Sequence, residues 1–125
     1  MKQIISTSNA PQAIGPYSQA VEANGFVFIS GQIPINPANG QIPEGIEAQT
    51  EQVMRNIGAI LEAAGLSYAN VVKTTVLLQN IADFGTMNGI YAKYFTTDCP
   101  ARAAFEVSAL PKGALIEVEV IAAKN

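Results

Sequence analysis

The chain has 125 residues, 49% of them hydrophobic and only 14% charged, a length for one domain and a composition that points to surface covered by another chain. Its net charge of −3, with Arg55 and Arg102 as the only arginines and no basic block, argues against a nucleic-acid binder, which needs clustered cations to neutralise phosphates. It has no histidine, which removes Ser-His-Asp and Cys-His triads and the usual zinc and non-haem iron sites, so neither a metal nor another cofactor is expected.

The opening residues, MKQIISTSNAPQ, lack the apolar core of a signal peptide, and no later run reaches membrane-spanning length. With Cys99 as the lone cysteine, a soluble cytoplasmic protein in a reducing compartment is expected. An extended start from Ile4 to Ser6 leads through the turn formers of NAPQAIGPYSQAV into a strand near Ser18 to Glu22. Asn24-Gly25 reads as a tight hairpin turn. The β-branched and aromatic run FVFISGQIPI follows, with Phe26, Phe28 and Ser30 on one face and Val27, Ile29 and Gly31 on the other. NPANGQIP is a loop with a second turn signal at Asn39-Gly40.

From about Glu47 to Ala64, Val53, Met54, Ile57, Ile60, Leu61 and Ala64 recur at helical spacing, and Gly65 stands where a helix C-terminus is capped. VVKTTVLLQ, residues 71–79, reads as a strand. A second helix is predicted from about Ile81 to Phe95, with Asn80 as N-cap, Asp83 near the positive end of its dipole, and a stripe of Phe84, Met87, Tyr91 and Tyr94. The strands ARAAFEVSA and ALIEVEVIAA follow, joined by a Leu-Pro-Lys-Gly turn. The order β-β-β-α-β-α-β-β describes one α+β sandwich, a mixed sheet with two helices on one face. Strands 71–79 and 114–123 carry apolar residues on both faces, and the second face has no helix left to meet. An oligomer is expected.

Arg102 stands inside the apolar run CPARAAFEV. By period two, Ala101, Ala103, Phe105 and Val107 share one face, while Arg102, Ala104, Glu106 and Ser108 share the other. The Phe105 face is the better core face, so it should meet the helices and leave Arg102 on the second face, at a subunit contact. On the residues alone two readings stay open. Arg102 forms a structural salt bridge to Glu106 or Glu117, or it closes a carboxylate-binding pocket in which a nearby glutamate holds a water.

AIGPYSQAV, ISGQIP, VVKTTVLL, PARAAFEV and LPKGALIEVEVIA resemble, in this order, the blocks of the RidA/YjgF/UK114 family across essentially the whole chain. The resemblance implies a chorismate-mutase-like fold, a homotrimer with clefts between subunits, and hydrolysis of reactive 2-imino or enamine acids such as 2-iminobutanoate and 2-iminopropanoate, released by pyridoxal-phosphate enzymes. It implies that Arg102 clamps the substrate carboxylate, that Glu117 positions the attacking water, and that Tyr17, Ser30, Gly31 and Asn88 line the site. Many bacterial members carry a cysteine two residues after the arginine, where this chain has Ala104. Two further functions come with the family: a non-catalytic small-molecule sensor or regulatory binding protein using the same cleft, and an endoribonuclease, against which the acidic charge and missing basic stripe weigh.

Overall fold

A computed structural model describes residues 1–124, in which β1 (Gln3–Ile5), β2 (Ala20–Ala23) and β3 (Phe26–Gln32) form an antiparallel meander. Asn24 and Gly25 take φ of 52° and 81°, the paired left-handed conformation that matches the twist of a two-residue hairpin loop. Helix α1 (Ile46–Ala63) ends where Gly65, at φ 76°, lets its own N–H reach the Glu62 carbonyl and the Leu66 N–H reach that of Leu61. This Schellman closure needs a residue free of a Cβ. Strand β4 (Val71–Leu78) crosses through helix α2 (Phe84–Tyr91) to β5 (Ala101–Glu106), and β6 (Ile116–Ala123) follows.

The strands lie in the order β1-β2-β3-β6-β4-β5, antiparallel throughout except for the parallel β4–β5 pair. Both helices cover one face, as the sequence order implies, with Val53, Met54, Ile57, Ile60 and Leu61 of α1 and Met87 of α2 packed on Val27, Ile29, Val76, Leu78, Val118 and Val120. Each such fully buried side chain stabilises the fold by about 1.5–3 kcal/mol. No helix among the described residues is long and apolar enough to cross a membrane.

Several expectations need correction. The third strand stops at Gln32 rather than Ile35, because a register shift between Ile29 and Gln32 buries both of those side chains and throws Ser30 and Gly31 into a bulge. Gly31 therefore does not share the core face of Val27 and Ile29. The second helix begins with a separate 3-10 turn, Ile81–Asp83, where Asn80 Oδ1 accepts the Ala82 N–H at 2.9 Å, and its α-helical part is only Phe84–Tyr91. Gly85 and Gly89 within so short a segment weaken it.

The main correction concerns β5. Its register with β4 sets Arg102 beside Thr74 and Ala104 beside Val76, two residues wholly buried under the helices. Arg102 thus faces α2, and Phe105, at 48% exposure, lies on the open face beside Leu77. The helix sits close enough to this edge strand that the small Ala104 fills the core position. The open face bears large apolar side chains of its own, Phe26, Phe28 and Phe105, so side-chain size does not distinguish the two faces.

Candidate active site

Four of the residues singled out lie together around the β3 bulge. Gln19 is buried and fixes the segment before β2: its Nε2 donates to the carbonyls of Thr7, Ala10 and Pro11 at 3.0, 3.3 and 2.7 Å, while its Oε1 accepts the Thr7 N–H at 2.7 Å. The Ser30 N–H then donates to the Gln19 carbonyl at 2.9 Å, and Ser30 Oγ to the Ser18 carbonyl at 2.6 Å. The bend carrying Tyr17, whose side chain is 51% exposed, is thereby stitched to the bulge. Beyond the bulge, buried Asn56 donates to the carbonyls of Ile33 and Ile35 at 3.2 and 3.0 Å, so α1 holds the exit of the same segment.

Gly31 faces the Glu117 side chain. A Cβ on Gly31 would lie 2.9 Å from Glu117 Cδ and closer still to Oε2, so only glycine leaves room for that carboxylate. Glu117 is half-buried, and among the described residues no hydrogen-bond donor reaches it. Burial pushes its pKa above the ordinary carboxylate value, and the neighbouring Glu119 adds to the shift. Such a group can take a water or accept a proton.

Arg102 and Asn88 form a second cluster, on the helix side. Arg102 Nη1 donates to Asn88 Oδ1 at 2.6 Å, and its Cζ stands 5.2 Å from the Phe84 ring centroid and 4.9 Å from that of Tyr91. The guanidinium borders a cleft of about 530 Å³ lined also by Phe95, Cys99 and Pro100. Neither salt-bridge partner suggested by the sequence reaches it among the described residues. Glu106 instead accepts the Ile81 N–H at 2.9 Å. With no carboxylate on it, the Arg102 fork can take a planar anion.

Within one copy the sheet separates these clusters, because Glu117 pairs with Leu77 on the open face while Arg102 pairs with Thr74 on the helix face. The sequence offers Phe84 and Tyr91 only as part of a helix's apolar stripe, and Cys99 only as the lone cysteine. The signal for the first two was their spacing: Phe84, Asn88 and Tyr91 stand at i, i+4 and i+7, one helix face meeting Arg102. Cys99, in a loop, gave no such signal.

The family described as Endoribonuclease L-PSP matches residues 7–124. The RutC family protein PH0854 of Pyrococcus horikoshii is 58% identical, over 100% of this chain and 100% of its own length. A protein of Rattus norvegicus named 2-iminobutanoate/2-iminopropanoate deaminase is 53% identical, over 100% of this chain and 92% of its own. The crystal structure of E. coli TdcF with bound serine superposes with a TM-score of 0.95 at 40% identity, covering 98% of this chain and 99% of that one.

Proposed function

The chain belongs to the endoribonuclease L-PSP family, also called RidA/YjgF, and on that footing we propose that it hydrolyses 2-imino acids to 2-oxo acids and ammonia. The observation that carries the reaction is the full-length likeness to a mammalian 2-iminobutanoate/2-iminopropanoate deaminase. The serine bound in the E. coli relative supports the substrate class, since serine carries the same carboxylate beside a nitrogen-bearing carbon.

In this reading Arg102 holds the carboxylate by a bidentate pair, and Glu117 orients a water and takes its proton as the oxygen adds to the C=N carbon. The tetrahedral carbinolamine passes a proton to its nitrogen through Glu117 and solvent. The C–N bond then breaks, leaving the 2-oxo acid and ammonia. An iminium carbon next to a carboxylate is already electrophilic, so positioning and one base, itself worth about 10²–10⁴ in rate, meet the demand. Tyr17, Ser30, Gly31 and Asn88 shape the cleft.

Because the sheet stands between Arg102 and Glu117 of one copy, the mechanism requires Arg102 of one subunit to face Glu117 of another, as the homotrimer implied by the family resemblance would allow. The protein would work in the cytoplasm, clearing reactive products of pyridoxal-phosphate enzymes. Imine hydrolysis is followed as 2-oxobutanoate appears from 2-iminobutanoate made in situ by a threonine dehydratase. Arg102→Ala should abolish the acceleration and Glu117→Ala should lower turnover. Equal mixtures of the two variants, reassembled into oligomers, should rise to at least about a quarter of wild-type activity, since random assembly places both intact residues at one cleft in four. No regain would exclude a shared site, and wild-type turnover in Arg102→Ala would sink the assignment.

The matched family's description favours a second reading, RNA cleavage. The −3 charge and the two arginines weigh against it, and salt-dependent RNA retention would revive it.

A further inference from the structure

Arg102 lies on an exposed edge strand, where a long side chain would sample many rotamers, yet three groups meet it. Asn88 takes one guanidinium N–H, and the rings of Phe84 and Tyr91 lie against the cation. Tyr91 differs from Phe84 in being tethered. Its Oη shares a hydrogen bond of 2.8 Å with Thr74 Oγ1, inside the core. Thr74 is fully buried and is the β4 residue directly beside Arg102 in the β4–β5 ladder. Backbone pairing, hydroxyl bond and ring contact thus close a loop from Thr74 to Tyr91 to Arg102 and back to Thr74. Burial also holds the Tyr91 phenol above its ordinary pKa, so it stays neutral and able to keep this bond.

We propose that Tyr91, anchored by Thr74, is a positioning residue that fixes the Arg102 guanidinium for carboxylate binding. The inference rests on the deaminase reading for its ligand, a 2-imino or 2-oxo acid, and on the geometry alone for its mechanism. A ring held against the cation lowers the energy of one orientation of the guanidinium. Asn88 engages Nη1 alone, so other N–H groups of the fork remain for the anion. Less rotamer freedom is then lost when the ligand binds, which tightens binding without adding a contact to the ligand.

The test uses the assembled full-length protein. The Arg102 side-chain N–H resonance, identified by its disappearance in Arg102→Ala, is followed by NMR, and binding of 2-oxobutanoate is followed by calorimetry. In wild type the resonance should be displaced from the free-arginine position by ring current. Tyr91→Leu should return it part of the way, the Phe84 ring remaining, and weaken 2-oxobutanoate roughly three- to thirtyfold. Thr74→Val and Tyr91→Phe each remove the tether and keep the ring. Both should move the resonance less, by similar amounts, and the double variant should go no further than either single one. If Tyr91→Leu does not fold, these two variants carry the test.

An Arg102 resonance unmoved by these substitutions overturns the positioning role. So do additive effects of Thr74→Val and Tyr91→Phe. A resonance that moves as expected, in a protein whose wild type binds 2-oxobutanoate no better than Arg102→Ala does, supports the positioning role and overturns the carboxylate-clamp reading instead.

Discussion

Glu117 is held with its carboxylate over the bare Cα of Gly31, half out of water and with Glu119 two residues away on the same face. Desolvation and that like charge raise its pKa above 4.5, so the folded chain favours the neutral acid over the carboxylate. The linkage follows: the fold gains from a protonated Glu117 at low pH, and that gain is lost as pH rises through the raised value. Glu117→Gln should therefore raise Tm near neutral pH, and the advantage should vanish below the ordinary carboxylate range, as thermal melts across pH would report. The base form predominates only above the raised pKa. The acid limb of kcat/KM should accordingly fall at a pH higher than an ordinary glutamate gives, and a limb at or below 4.5 would remove Glu117 as the base. Gly31→Ala pushes on the far end of a flexible side chain rather than on backbone, so Tm should change little while turnover drops, roughly a hundredfold for a carboxylate moved by about an ångström. Gly31→Ala with Glu117→Ala should then turn over no more slowly than Glu117→Ala alone.

Among the elements, the segment before β2 owes its placement to one amide. Gln19→Leu leaves the Thr7 N–H and the carbonyls of Thr7, Ala10 and Pro11 without that partner. A loss of about 1–3 kcal/mol in denaturant melts is expected, together with weaker substrate binding as the Tyr17 bend loosens. Where an element depends on neighbours in sequence, the sequence shows it plainly. Asn24-Gly25 announces the hairpin because few other pairs accept two left-handed residues, and the apolar spacing of α1 with Gly65 behind it gives both its face and its end. The site was legible only as a set of residue types in matching blocks. What stayed hidden was the direction in which β5 faces. Period two separates Arg102 from Phe105, but it does not say which of them meets a helix, and the open face carries large apolar side chains of its own. The bulge at Ser30 and Gly31 is likewise a pairing between β3 and β6, residues far apart in the chain, which no local pattern records.

At the scale of the whole molecule, Phe26, Phe28 and Phe105 leave an aromatic surface on the open face, the first two with ring centroids 6.3 Å apart. Phe105→Glu should leave the single chain folded, since that side chain packs on no helix. If each cleft draws on two copies, as proposed, the substitution should also shift the protein toward monomer in size-exclusion chromatography and abolish activity. A monomer with full activity would refute the shared cleft. The sheet order carries a kinetic consequence of its own. Strand β6, the last along the sequence, lies in the middle of the sheet and alone links the β1-β2-β3 meander to the β4–β5 pair. The two halves cannot be joined until residues 116–123 have been made, so the sheet forms by long-range pairing once that strand is available rather than strand by strand from the ribosome. Glu117 rides on that keystone strand: the step that completes the sheet is the same one that seats the carboxylate over Gly31, and no half-built chain holds it there.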